Sequence, residues 1–388
     1  MPARRIAVLT ALCAFALPFV ASATVAGAQA TGVTRTYYVA ADEVDWDYMP
    51  DNADGMMGMK PEGYAKAYSD KNGHLIGKVY RKAIYREYTD ATFTHLKPRP
   101  PSDAYLGIMG PILRAEVGDT IKIVFKNHGT HPYSMHPHGV FYKKSSEGSA
   151  YADGVPSSAK GGDSVPPGGT FTYLWFAPER AGPGPKDPSS IVWLYHSHVE
   201  ERRDVNSGLI GAIIITAKGK ARPDGTPIDA DREVVSTFVT FDENWSWFYK
   251  ENVKRNIKDL KKFNSVEAIN KDPETGANDF LGTGFVPANF RWTINGYQFA
   301  NGPMPRIKLG ERVRWYVLTI GEGLNFHTPH WHGNTVLVGG QRTDVLSIAP
   351  AQMLTVDMIP DNPGIWLFHC HVSDHMDGGM VSRYEVAP

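Results

Sequence analysis

Trp366-Leu-Phe-His369-Cys370-His371-Val-Ser-Asp374-His375-Met-Asp-Gly-Gly-Met380 brings the soft or borderline metal ligands His369, Cys370, His371, His375 and Met380 within twelve residues. The residues leading into it are apolar and aromatic, which predicts a strand from Ile365 to Val372 with side chains alternating between two faces. His369 and His371 then point one way and Cys370 the other. A thiolate, two imidazoles and a distant thioether are the ligand set of a blue-copper site, with Cys370 and His375 as strong ligands and Met380 as the weak axial one. The third strong ligand has to come from elsewhere in the chain.

Its expected source is Asn325-Phe-His327-Thr-Pro-His330-Trp-His332-Gly333, which carries a second His-x-His pair after His327. Two more pairs lie upstream, in Ser134-Met-His136-Pro-His138-Gly139 and Trp193-Leu-Tyr-His196-Ser-His198. Random placement of this chain's histidines gives only about half a pair, so four pairs are not composition at work. On a strand, His-x-His delivers both rings to one face. Reducing dioxygen fully to water takes four electrons and copper gives one at a time. A cluster that releases no peroxide therefore needs three coppers, and a fourth to collect electrons. Eight histidines suffice to hold three coppers. Cys370, between His369 and His371, would link the collecting copper to the cluster along on the order of 10 Å of strand.

Cys370 is the one thiol outside the first 30 residues, so no internal disulfide framework is expected. Those 30 residues read as an export signal: Arg4 and Arg5, an apolar run from Ile6 to Val20, then small residues to Ala28-Gln29-Ala30. The apolar run is short against the ~20 residues that span a bilayer. An exported protein, periplasmic or secreted and without a membrane span, is the expectation; the arginine pair hints at a twin-arginine route. Forty basic against 41 acidic residues leave a net charge of −1, so no positive field is present to hold nucleic acid.

The length of 388 residues suits two domains, and the two halves repeat each other. Ile112-Leu-Arg-Ala-Glu-Val-Gly-Asp119 precedes the first histidine pair as Pro305-Arg-Ile-Lys-Leu-Gly-Glu311 precedes the third. Alternating segments such as Thr120-Ile-Lys-Ile-Val-Phe125 and Arg312-Val-Arg-Trp-Tyr-Val317 predict strands with one face in a core, with Gly and Pro turn clusters between them. Little helix is expected beyond a stretch from Trp247 to Leu260. The linker is expected near Ala217 to Asp231. Aligning the halves on their histidine pairs puts Tyr133, Ser197, Arg202 and Ser207 where the second half has His327, Cys370, His375 and Met380. None of the four is a matching ligand.

These motifs resemble the multicopper oxidases, the family of laccases and ceruloplasmin, over nearly all the chain beyond residue 30. The first half looks most like ceruloplasmin's opening domain, in Thr36-Tyr-Tyr-Val-Ala-Ala-Asp42, Tyr105-Leu-Gly-Ile-Met-Gly-Pro-Ile-Leu-Arg114 and Val165-Pro-Pro-Gly-Gly-Thr-Phe-Thr-Tyr173. The resemblance implies an all-β chain of two tandem cupredoxin domains, Greek-key β-sandwiches at residues 31–222 and 223–388, arranged as in two-domain laccases. It implies four coppers: a type 1 copper on His327, Cys370, His375 and Met380, and a type 2 copper on His136 and His330. The type 3 pair falls to His138, His196, His198, His332, His369 and His371. The first domain would donate cluster ligands and hold no type 1 copper. By the same resemblance the chain forms a homotrimer, a ring in which each trinuclear cluster is completed between subunits. The implied activity takes single electrons from a phenol, an aromatic amine or a reduced metal ion and reduces dioxygen to water.

Four further features have both a functional and a plain reading. Glu147 matches an acid thought to relay protons to the cluster, or is a solvated loop acid beside Lys143 and Lys144. Tyr142 matches a cluster-side tyrosine, or packs. Asp374 matches an acid that ceruloplasmin uses to bind iron, or is a loop residue; the other two iron positions are here Pro287 and Trp292. Met49, Met56, Met57 and Met59 are thioethers suited to Cu(I), or pack in a loop. Two other functions compete with the oxidase. A copper nitrite reductase carries its blue site in the first domain and needs three further histidines. A copper carrier or electron-transfer protein needs no eight converging imidazoles.

Overall fold

The structure, a computed structural model, describes residues 32–258, 284–321 and 326–388. The expected leader and the Leu260 end of the expected helix lie outside these residues. Among these residues strands dominate, and they form four sheets.

The repeat seen in the sequence is a repeat of topology. In the first half, strand Thr34–Asp47 lies between the antiparallel strand Val79–Tyr88 and the parallel strand Thr120–Asn127, with Thr170–Phe176 and Phe141–Tyr142 beyond. In the second half, Arg232–Asp242 lies in the same way between Phe290–Ile294 and the parallel strand Val313–Thr319. Each half adds a four-stranded sheet: Leu113–Glu116, Ile210–Thr216, Ser190–His196 and His136–Pro137 in the first. Arg306–Lys308, Val381–Ala387, Gly364–Cys370 and Pro329–Trp331 follow the same order in the second. In both, the first strand of the set pairs parallel with the second, so a crossover connection is built into each half. Sheets of this kind, stacked in pairs with Greek-key connections, are cupredoxin sandwiches.

Thr120–Asn127 alternates buried and half-buried residues, as the sequence pattern predicts. Val313–Thr319 does not: all seven residues are buried. The expectation of a one-sided strand fails there because the first half covers its other face. Tyr316 Oη lies 2.7 Å from Ser190 Oγ, and Arg314 donates to Ser190 Oγ (2.9 Å) while pairing with Asp229 and Asp357. A charged side chain in an alternating pattern reads as solvent-facing; here it pairs with two carboxylates of its own half and donates to a serine of the other.

The expected helix is present but short, Tyr249–Asn256. Among the described residues the other helices are no longer, and the last of them, Ser373–Asp377, is a single turn that carries His375. One core extends across both halves, with Tyr48, Tyr80 and Ile108 packed among Phe238, Phe241 and Trp292. Beneath it Lys82 and Glu243 form a fully buried ion pair, to which the Tyr48 hydroxyl adds a hydrogen bond of 2.5 Å. Among the described residues no helix is long and apolar enough to cross a membrane.

Candidate metal centres

Strand Gly364–Cys370 pairs with Pro329–Trp331 so that His369 faces His330 and Cys370 faces Pro329. Alternation then sends neighbouring side chains to different sites, as the sequence predicts. The strand ends at Cys370 rather than Val372, leaving His371 exposed at the rim.

Cys370 Sγ lies 3.6 Å from His375 Nδ1 and 3.9 Å from His327 Nδ1, and the two nitrogens are 3.0 Å apart. Cys370, His327 and Met380 are wholly buried and His375 nearly so. The backbone fixes each of them. His327 exchanges both main-chain hydrogen bonds with Ile348 (2.9 and 3.0 Å). The Met380 N–H donates to the His375 carbonyl (2.8 Å), and the Cys370 N–H to the Met380 carbonyl (3.1 Å), closing the loop on itself. Gly379, at φ +99°, allows that return. Burial pushes the Cys370 thiol up, opposed by backbone N–H groups of Thr328 and Val372; the Thr328 N–H is 3.3 Å from the sulfur. Burial also holds His327 down to about 3 and His375 to about 4. Both rings therefore stay neutral, with lone pairs to donate. A buried thiol, aimed with two neutral imidazoles at one point, is the donor set of a soft metal, and with Met380 beside it fits copper.

The eight paired histidines form two quartets of the same design. In the first, His138 Nε2 is 3.3 Å from His196 Nε2, and the His136 ring lies 5.5 Å from His196 and 5.1 Å from His198 between centroids. In the second, His332 Nε2 is 3.0 Å from His369 Nε2, and the His330 ring lies 5.3 Å from His369 and 5.4 Å from His371. His136, His138 and His196 bring one ligand atom each within 4.8 Å of one another, as do His330, His332 and His369.

Carbonyl groups set the ring orientations. The Nδ1 atoms of His136, His196, His330 and His369 lie 2.7, 3.1, 2.9 and 2.8 Å from the carbonyl oxygens of Glu147, Ser197, Asp344 and Cys370. A carbonyl only accepts, so each Nδ1 carries the proton and each Nε2 presents a lone pair. Nε2 atoms that face each other at 3.0–3.3 Å are the arrangement a shared cation satisfies. Burial holds His138 and His369 down to about 4, and lowers His136, His196 and His332 as well. Both quartets therefore fit copper too. Among the described residues no hydrogen bond or ring contact joins a histidine of one quartet to one of the other.

Where the first half aligns with Cys370 it has Ser197, which donates to Asp204 Oδ2 (2.6 Å). Asp204 also accepts from Trp247 Nε1 (2.8 Å), Val199 N–H (3.0 Å) and Glu200 N–H (3.1 Å). Tyr133 is buried nearby and Arg202 stacks on Trp245. A carboxylate held by four donors fills the place.

Glu147 is 8% exposed, paired with Lys144 and bonded by the Tyr151 hydroxyl (2.9 Å), so the picture of a solvated loop acid does not hold. Tyr142 has its ring 6.0 Å from that of His136. Asp374 is exposed in the first turn of Ser373–Asp377. Pro287 is buried, and Trp292 stacks on His375. Sequence reasoning missed Asp344, Ser149, whose hydroxyl lies 3.0 Å from His198 Nδ1, and Glu201, 3.3 Å from His198 Nε2. Asp344 acts through its backbone, which leaves no mark on residue type.

Two sequence profiles, both described as multicopper oxidase, match residues 106–220 and 273–388, together more than half of the chain. Human ferroxidase HEPHL1 is 39% identical over 377 residues, covering 96% of this chain and 31% of its own. Human ceruloplasmin is 37% identical over 359 residues, covering 91% of this chain and 30% of its own. The chain thus spans about a third of the length of these curated relatives. A solved multicopper oxidase structure, 20% identical, superimposes with a TM-score of 0.55 over 91% of this chain and 89% of its own, a likeness of fold. With a copper-compatible donor set in both halves and a matching profile on each, the chain belongs to the multicopper oxidase family.

Proposed function

We propose that this protein is an exported oxidase holding four coppers, which takes single electrons from a phenol, an aromatic amine or a reduced metal ion and passes them to dioxygen to form water. In this reading residues 31–222 and 223–388 are the two cupredoxin domains. His327, Cys370, His375 and Met380 hold the type 1 copper. His136 and His330 hold the type 2 copper, and the other six paired histidines hold the type 3 pair. Bound copper would supply the one-electron chemistry at the first site and the dioxygen chemistry at the cluster.

The chain's own residues do the rest. The buried shell of Trp292, Phe238 and Phe368 keeps water from the Cys370 sulfur. The Cys370 carbonyl, bonded to His369 Nδ1, and the peptide to His371 join the two sites through one strand end. Glu147, tied to Lys144 and to His136 through its carbonyl, would hand on the four protons that water formation consumes. Tyr142 lines the same side, and Asp374 marks the rim above His375.

The single observation that carries this reading is that each half holds four converging histidines, with no hydrogen bond or ring contact between the two quartets among the described residues. Each lacks the other half, so a homotrimer in which neighbours complete each cluster satisfies them, and head-to-tail contacts close into rings. Exposed apolar side chains flank both quartets: Phe141, three residues past His138, and Val345, bridged to His330. A nitrite reductase or a carrier leaves most of these imidazoles without a task. The relatives' name makes Fe(II) one donor to test, with Asp374 as its acid; Pro287 and Trp292 supply no ligand at the other two positions.

Copper per polypeptide, measured on metal-reconstituted protein together with oxygen uptake, tests the proposal. About four per chain, with donor-driven uptake, is expected. One or two per chain overturns it in favour of a carrier or a reductase.

A further inference from the structure

Arg291 is 1% exposed and pairs with no carboxylate among the described residues. Burying a charge without a counter-ion is costly, so what surrounds this one and where it sits both matter. One guanidinium nitrogen donates to the Tyr68 carbonyl (3.0 Å) and to Gln298 Oε1 (3.1 Å), the other to the Gly77 carbonyl and to Tyr80 Oη (2.8 Å). The ring centroids of Tyr80, Tyr68 and Tyr48 lie 4.6, 5.3 and 5.4 Å from its Cζ. Carbonyls, hydroxyls and ring faces solvate a cation, yet they carry no net charge, so its field is not cancelled.

The buried ions next to it do cancel. Lys82 pairs with Glu243, and Tyr48 joins the two groups: its hydroxyl donates to Glu243 and its ring faces Arg291. Three buried charges therefore leave one positive charge over. Asp374 and Asp377, the acids of the His375–Met380 loop and its approach, are exposed, where water and salt screen them.

That charge stands behind the type 1 site. In strand Phe290–Ile294, Arg291 lies opposite Phe241 and Trp292 opposite Thr240, so the two neighbours leave the strand on opposite faces. Trp292 stacks on His375, while Arg291 enters the tyrosine cage of the first half. Gln298, wholly buried, accepts from Arg291 and donates through Nε2 to the Gly378 carbonyl (2.8 Å), two residues before Met380. Two hydrogen bonds and an amide put the guanidinium roughly 8 Å from that carbonyl, and two more residues put it on the order of 15 Å from the metal position.

We propose that Arg291 is a positioning residue of the type 1 site: its uncompensated buried charge, with its bridge through Gln298 to the Gly378 carbonyl, favours the reduced state of a copper held by His327, Cys370, His375 and Met380. The proposal rests on the type 1 reading above. Reduction lowers the positive charge at the metal by one, so a nearby fixed cation stabilises the reduced site relative to the oxidised one. Arg291 itself gains and loses nothing; the electron comes from the donor. At ~15 Å and an effective dielectric of about 20, one charge shifts this equilibrium about sixfold. The consequence is specificity: weaker reductants become usable donors.

The test is a redox titration of the copper-loaded full chain, followed by its type 1 absorption. In Arg291→Met the absorption is expected to persist, with the oxidised-to-reduced equilibrium shifted about sixfold toward Cu(II), a fall of roughly 45 mV for a one-electron couple. Arg291→Lys keeps the charge and should restore most of the potential. Lys82→Met reads the same field without touching the guanidinium, since it leaves Glu243 to cancel Arg291, and it should also lower the potential. Lys82→Met/Glu243→Gln removes a neutral pair from the same core and should leave the potential unchanged. An unchanged potential in Arg291→Met and Lys82→Met overturns the proposal, as does an equal fall in the double variant or a fall that Arg291→Lys does not reverse. A wild-type protein without type 1 absorption sinks the type 1 reading itself, and the proposal falls with it.

Discussion

Trp292 lies against His375, with ring centroids 4.3 Å apart and planes inclined by 30°. The indole is wholly buried, backed by Phe290 on one side and by the backbone of Gly378 on another, where a Cβ would come within 2.3 Å of the ring. Ring, glycine and histidine form one fitted stack, and it sets the angle at which His375 Nδ1 meets Cys370 Sγ.

Trp292→Ala therefore removes a wall of the site. Large-to-small changes at buried aromatics cost about 3–5 kcal/mol, and the ring of His375 gains room to turn. Denaturant unfolding should show the loss, and the type 1 absorption of the copper-loaded variant should shift or bleach. Trp292→Phe keeps a stacking face and should restore most of the spectrum. An unaltered spectrum in Trp292→Ala would show that the stack does not position His375.

The metal-free protein should lose stability on acidification from about pH 6.5 down to about pH 3. His327, His375, His138 and His369 have folded-state values of about 3 to 4, held down mainly by burial. The unfolded chain binds protons at these positions first, so stability is full above the unfolded value and falls as pH drops toward the folded one. Each such histidine contributes up to roughly 1.4 kcal/mol per pH unit, less where rings share a cluster. Urea midpoints of apo-protein at pH 7 and pH 5 measure this. A flat profile would mean that these rings are solvated in solution.

Much of this was legible in the sequence because ligand chemistry requires residue types at a strand's period of two. Cys370 between two histidines, the four pairs and the repeat around Ile112 and Ile307 all follow from that period. What stayed hidden acts through the backbone or across the fold. The carbonyl of Asp344 holds His330, yet any residue has a carbonyl. Arg314 reads as a solvent-facing residue of an alternating strand, but it is 2% exposed, because the first half supplies Ser189 and Ser190 and its own half supplies Asp229 and Asp357, which no local pattern announces. Trp292 carries no ligand atom, so only its contact with His375 reveals its place.

Asp204 carries a prediction of opposite kind. It fills the first half's counterpart of the site formed by His327, Cys370 and His375, and four donors converge on it. Asp204→Ala leaves the Ser197 hydroxyl, the Trp247 indole N–H and two backbone N–H groups without their acceptor, at a cost on the order of 2–4 kcal/mol. Thermal unfolding should register it. Copper content should not change, because no ligand is touched; a loss of one copper equivalent would reveal a metal in the first half.

Mixing chains tests the ring. A chain with His136→Ala and His138→Ala has a damaged first quartet and a sound second one; His330→Ala with His332→Ala is the reverse. If each cluster forms within one chain, both variants are inactive and every mixture of them is inactive too. If neighbours complete it, a mixed trimer contains one interface at which a sound first quartet meets a sound second quartet, whichever variant is in excess. Co-expression should then restore oxygen uptake to about a third of the wild-type value in mixed rings, with each variant alone near zero. Type 1 absorption, built from His327, Cys370, His375 and Met380, should persist in all of them and report that the chains are folded. Recovery in the mixture without a trimer on a sizing column would point to a dimer exchange of the same quartets, and absence of recovery in intact trimers would place the cluster elsewhere.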